Sequence, residues 1–205
     1  RKSGMEQAPL PFDHPALTSS DDLSVAREVL RSAALTDPEA LLHLEAIVDF
    51  IDREPSAAHR MTVEGHLTGS ALVVDAAGER TLLMLHRKLG RWFQPGGHCD
   101  GDTNLAAVAL REASEETGIT GLRVVPTPID VDVHRVEPPR EAPHLHMDTR
   151  FLVLAPPDAT EVANEESRAL RWVTEGELDD LDPPVDASTR RLVRVGLERA
   201  RRLIG

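Results

Sequence analysis

Cysteine is almost missing from this chain, whose 205 residues contain one, Cys99. A single thiol cannot close an internal disulfide, so no oxidised framework holds the fold, and a reducing compartment suits it, with the cytoplasm as the default expectation. Positive charge is also in short supply. Lysine and arginine together number 23 against 35 acidic residues, a formal net charge of −12, and Lys2 and Lys88 are the only lysines. Binding to nucleic-acid duplexes or to anionic membranes needs a positive surface field, so neither is expected, and any phosphate must be met by a local device. Long apolar runs are absent too. "ALVV" at 71–74 and "LLML" at 82–85 fall far short of the roughly 18 residues that a spanning helix requires. No apolar signal-peptide core follows the N-terminus, so a soluble protein that is not exported is expected.

What the chain does contain changes in texture near residue 60. Its length suits one well-cored domain with an appendage, and the spacing divides it into a helical extension at 5–60 and a main domain at 61–205. Residues 21–35 carry apolar side chains at Leu23, Ala26, Leu30 and Ala34. Residues 37–52 open with Asp37 as a cap and Pro38 at the first helical position, then place Leu41, Leu44, Ile47, Val48 and Ile51 at helical spacing. From residue 65 short β-rich runs appear between turn residues: a hairpin at "HLTGSALVVD", "AAGE" and "RTLLMLHR", then strands near 129–137, 144–155 and 168–173. Helices are expected at "EGELDDL" and from 186 onward, giving a mixed α/β layered domain.

The most informative stretch is "QPGGHCDGDTNLAAVALREASEETGI", residues 94–119. A helix is expected from about Asn104 to Thr117, capped by Asp102, Thr103 or Asn104 and stopped by Gly118. Leu105, Ala106, Ala109, Leu110 and Ala113 then form the buried arc, and Glu112, Glu115 and Glu116 line its edge at i, i+3 and i+4. Like charges at that spacing cost a few tenths of a kcal/mol per pair, and these also face the negative end of the helix dipole. A hard divalent cation would reverse that cost, because Mg²⁺ takes carboxylate oxygens with waters and phosphate oxygens. Arg111, four residues before Glu115, can hold a carboxylate in place. A solvated acidic helix face with an arginine partner is the other reading.

Gly97, Thr103 and the run from Arg111 to Ile119 together resemble the Nudix box, a pattern of Gly, five residues, Glu, seven residues, then Arg-Glu-apolar-any-Glu-Glu-any-Gly-apolar. Every fixed position matches except Thr103, where the family has its first Glu. "GHLTGSALVVD", "LLMLHRKLGRWFQPGGH" and "ALRWVTEGEL" look like the strands around the box, so the likeness covers about residues 62–182. The resemblance implies an α/β/α sandwich with a mixed β-sheet. It also implies hydrolysis of the diphosphate bond in a nucleoside diphosphate linked to another group, with Mg²⁺ or Mn²⁺ as cofactor. By position, Glu112, Glu115 and Glu116 would be the metal ligands and catalytic carboxylates, Arg111 their orienting partner, and Gly96 and Gly97 the turn that brings backbone close to the metal. Asp100 or Asp102 could replace the carboxylate lost at Thr103, or could serve only as turn residues. A catalytically weak nucleotide-binding or regulatory module is the alternative that Thr103 suggests; a diphosphate isomerase is another, supported only by Cys99.

A second constellation needs no family. "DVDVH" supplies Asp130, Asp132 and His134, and "HLHMD" supplies His144, His146 and Asp148, mirrored around a proline-rich connection. If the strands pair antiparallel with 132 opposite 146, both sets share one face, able to hold a second divalent ion, place a general base or hydrogen-bond a ribose. It could equally be the wet side of a hairpin. Arg87, Lys88 and Arg91, with His86, put positive charge just before the glycines, as a phosphate clamp would, or line a plain loop. Trp92 and Phe93 suit a core or a lid more than base stacking. Glu165 and Glu166 precede the last strand and suit capping or surface more than a ligand role. The arginines between Arg190 and Arg202 suit a solvated or subunit-facing helix, which leaves a homodimer open.

Overall fold

Aspartates start the helices. Asp22 accepts from the Ser24 amide and Asp37 from the Glu39 and Ala40 amides, which fixes the N-termini of α1 (Leu23–Arg31) and α2 (Pro38–Arg53). The structure is a computed structural model describing residues 7–138 and 142–205. After a short β1 (Leu10–Pro11) and the two helices come β2 (Gly65–Val74), β3 (Thr81–His86), β4 (Trp92–Phe93), β5 (Gly96–His98) and α3 (Leu105–Thr117). Then follow β6 (Arg123–Val124), β7 (Asp130–Val136), β8 (His144–Leu154), β9 (Ser167–Val173) and α4 (Ala187–Ile204). The expected helix at "EGELDDL" is a 3-10 turn, Gly176–Asp180, anchored by buried Leu178.

The strands make one mixed sheet in the order β1-β6-β8-β2-β3-β4, with β5 on β2, β7 on β8 and β9 on β3. Its centre is the parallel pair β2·β8, in register from Gly65 opposite Leu145 to Val74 opposite Leu154. Alternation sends Leu67, Ala71, Val73, Phe151 and Val153 to a core shared with α1, α2 and α3. It sends Leu72, Val74 and Leu152 to a second core with Leu192, Val193 and Leu197 of α4. Helices therefore cover both faces, giving the expected α/β/α sandwich. Gly69 lets α3 come close, since a Cβ there would stand 3.0 Å from the Leu105 carbonyl oxygen. Among the described residues, no helix is long and apolar enough to cross a membrane.

The β7·β8 register differs from the expected one by two residues. Asp132 lies opposite Asp148, His134 opposite His146 and Asp130 opposite Arg150, so the shared face is kept and the partners change. The reason is Arg150, which this register places 3.0 Å from Asp130, 3.3 Å from Asp132 and 3.0 Å from Asp148. Arg191 departs from the solvated role expected for the α4 arginines. It is buried, with Nε 3.1 Å from Asp130 and Nη1 2.5 Å from Glu39 of α2.

Candidate active site

Asn104 caps α3 by accepting from the Ala107 amide, and Gly118 closes it in the left-handed region at φ 66°. The helix edge then sorts the three glutamates by depth. Glu116 is 5% exposed, Glu112 is half-buried and Glu115 is exposed. Gly96 and Gly97 form not a turn but strand β5, because both pair with β2, opposite Ser70 and Gly69. Backbone still meets carboxylate there. The Gly96 amide donates to Glu116 Oε2 at 2.9 Å, and a Cβ on Gly97 would stand 2.3 Å from Glu112 Oε2. Arg111 holds Glu112 rather than Glu115. Its Nη2 donates to Glu112 Oε1 and to the His98 carbonyl, both at 3.2 Å, and that carbonyl draws the guanidinium inward.

Glu166 joins this cluster from the segment that precedes β9. It hydrogen-bonds Glu116, whose carboxyl is pushed up to about 8, first by burial and then by the charges of Glu166 and Glu112, against the Gly96 amide. Burial also raises Glu112, with Arg111 opposing and Glu115 and Glu166 adding to the rise. The "EE" before the last strand was the only signal in the sequence. The pairing of β9 with β3 shifts register between Leu85 and His86, just before the Arg87 amide meets the Glu166 carbonyl, and sequence does not reveal such a bulge. Glu116 is buried, Glu112 half-buried and Glu166 exposed, and carboxylate oxygens of this kind are the donors a hard divalent ion takes.

Thr103 is spent elsewhere. It is 1% exposed, and its hydroxyl donates to the carbonyls of Ser20 at 3.0 Å and Asp22 at 2.8 Å. Asp100 pairs with Arg60 at 2.5 Å. Asp102 accepts from the Ser20 and Asn104 amides and lies 3.9 Å from Arg111. Of the two, only Asp102 touches the cluster's own arginine.

The second constellation divides. Asp130, Asp132 and Asp148 are occupied by Arg150 and Arg191, and Asp148 also accepts from the hydroxyls of Thr68 and Ser70, so a cation set of aspartates is not what they form. His134, His144 and His146 instead join His66 and His98, which the sequence did not single out. Among the clamp residues, Arg87 donates to the Ser167 carbonyl at 3.3 Å, and its amide donates to the Glu166 carbonyl at 2.7 Å. Lys88 and Arg91 are exposed on the same turn. Cys99 is buried, and burial, with Asp102 next, drives its thiol far above the usual range. An inert buried thiol removes the isomerase reading's support. Trp92 lies in the core with its indole donating to the Asp182 carbonyl.

Set beside known proteins, residues 66–195 match the NUDIX domain family. A relative from Mycobacterium tuberculosis described as "Putative 8-oxo-dGTP diphosphatase 3" is 36% identical over 131 residues, covering 56% of this chain and 55% of its own. The chain thus spans about half the length of the curated relatives it matches. Among solved structures, a NUDIX-family hydrolase from Clostridium perfringens superimposes with TM-score 0.53 at 21% identity, over 65% of this chain and 97% of that one. The NUDIX domain of Shewanella oneidensis NrtR, complexed with ADP ribose, gives 0.51 at 17% identity, over 74% and 96%. These two likenesses concern the fold.

Proposed function

The chain belongs to the NUDIX domain family, and from that premise we propose that it is a divalent-metal-dependent pyrophosphohydrolase acting on a nucleoside diphosphate linked to another group. Within it, residues 61–205 are the catalytic domain and residues 5–60 its helical extension. The observation that carries this reading is the burial of Glu116 beside Glu112 and Glu166, against the Gly96 amide, with Arg111 paired to Glu112. Glu112 and Glu116 would hold Mg²⁺ or Mn²⁺, with Glu115 and Glu166 at its margin. A cation bound there neutralises phosphate charge and makes a water more acidic.

The chain's own residues do the rest. The Gly96 amide fixes the Glu116 carboxylate, Arg111 fixes that of Glu112, and Gly97 leaves the space a side chain would fill. Glu166, coupled to Glu116, is placed to take the proton of an attacking water. Arg87, Lys88 and Arg91 offer charge to the substrate's phosphates from the turn tied to Glu166. The nucleotide class draws support from the name of the mycobacterial relative and from the ADP ribose of the Shewanella domain.

The test is hydrolysis of nucleoside triphosphates, ADP-ribose, nucleotide sugars and dinucleoside polyphosphates with Mg²⁺. Glu116→Gln is expected to lower turnover at least about a hundredfold, about 2.7 kcal/mol of barrier. A variant as active as the parent would remove the carboxylate cluster from the mechanism. Tight nucleotide binding without Mg²⁺-dependent hydrolysis would favour the regulatory-module reading that Thr103 motivates.

A further inference from the structure

Of the chain's nine histidines, His134, His144, His146, His66 and His98 lie together. They occupy adjacent strands in the order β7, β8, β2, β5, with His134 opposite His146 and His146 opposite His66. His98, opposite Thr68, flanks His66 from the other side. Ring centroids are 5.5 Å apart for His134–His146, 4.9 Å for His146–His66, 5.0 Å for His66–His98 and 5.3 Å for His98–His146. By alternation this row faces away from α3, on the side of the sheet opposite Gly97 and Glu112.

The centre of the row is chemically incomplete. His66 is 1% exposed, and among the described residues neither of its ring nitrogens has a hydrogen-bond partner. An imidazole always carries at least one N–H, and when neutral a lone pair as well, so leaving both unmet in the interior is costly. One ring nitrogen from each of His66, His98 and His146 lies within 4.8 Å of the others. Small ring rotations bring three such atoms to the roughly 2.0–2.1 Å that a Zn²⁺–imidazole bond requires.

We propose that His66, His98 and His146 bind a divalent transition-metal ion, with Zn²⁺ as the occupant, at a site separate from the carboxylates of α3. Imidazole suits Zn²⁺, whereas Mg²⁺ demands oxygen. The adjacent rings are already oriented as such a site uses them. His144 Nδ1 lies 2.9 Å from the Ala142 carbonyl, which can only accept, so its lone pair is on Nε2 and it is the nearest candidate for a fourth ligand. His134 is held in the same tautomer by Asp132, 3.0 Å from Nδ1, and Asp132 is anchored in turn by Arg150 and Arg191. His98 and His146 are only half-buried, which leaves the ion an open side.

The site uses none of the carboxylates assigned to hydrolysis, so the two readings fail separately. The full chain, stripped with a chelator and kept in excess Mg²⁺, is titrated with Co²⁺ by visible absorption and with Zn²⁺ by calorimetry. One equivalent of Co²⁺ with four- or five-coordinate d–d bands, displaced by Zn²⁺, is expected. Zn²⁺ affinity should fall at least about tenfold in His98→Gln and in His146→Gln and stay unchanged in Glu116→Gln. Affinity unaltered in both histidine variants, affinity lost in Glu116→Gln, or no Zn²⁺ uptake by the parent would each overturn the site. Should either variant fail to fold, ring ¹⁵N spectra of the parent decide. Zn²⁺ must shift His66, His98 and His146, and their silence refutes the proposal.

Discussion

Glu116 binds its proton more tightly when folded than when unfolded, because burial and the Glu166 and Glu112 charges raise its carboxyl from an ordinary 4.5 to about 8. Its contribution to stability is therefore complete below about pH 4.5 and is lost as pH rises through about 8. Metal-free protein should lose melting temperature over that interval, and Glu116→Gln, which cannot ionise, should flatten the slope. Thermal unfolding in chelator across pH 5–9 measures it, and an equal slope in both proteins would mean that Glu116 is not the group responsible. At this scale the sequence showed Glu112 and Glu116 because helical spacing places them on one edge whatever the rest of the chain does. It could not show Glu166, His66 or His98 as neighbours. Their meeting depends on strand register and on a bulge, which are set by partners far away in the chain.

At the scale of elements, the loop into α3 doubles as the dock for the segment that precedes α1. Thr103 bonds the carbonyls of Ser20 and Asp22, Asn104 Nδ2 those of Ala16 and Thr18, and Asp102 receives the Ser20 amide. The residue that breaks the family pattern is the one that holds the extension. A glutamate there would press a carboxylate against two carbonyl oxygens at a buried position. Thr103→Glu is accordingly expected to cost about 1–3 kcal/mol of stability, the penalty of an unmatched buried polar group, and to bring no gain in turnover. Thr103→Ser, which keeps the hydroxyl, should be close to neutral. Urea denaturation and steady-state rates test both, and a faster, equally stable Thr103→Glu protein would show that the missing carboxylate matters more than the dock. The helices themselves were readable from caps and apolar spacing. The β7·β8 register was not, since Arg150 supplies the reason for it and attracts no notice within "HLHMDTRFLVL".

For the molecule as a whole, the division near residue 60 marks a change of pattern and not a gap in packing. Ala26, Leu30, Ile47, Phe50 and Ile51 lie in the same apolar cluster as Leu67, Leu105, Leu110 and Phe151. Glu39 reaches across to Arg191 of α4, and His43 receives the Val133 amide. Removing residues 1–55 should uncover that face of the sheet and of α3, lowering solubility and melting temperature together. Unchanged values for the truncated chain would make the extension an independent attachment.

The parallel β2·β8 ladder carries one more consequence. Each of its partners, from Gly65 and Leu145 onward, is separated by 80 positions in the chain. The β2·β3 hairpin can close early, after a few residues of turn, but the central seam of the sheet cannot zip until β8 has been made. Loop closure of that length is paid before any ladder bond forms. Until then β2, apolar along much of its length, has one open edge, so a half-made chain is the form most exposed to pairing with a stranger.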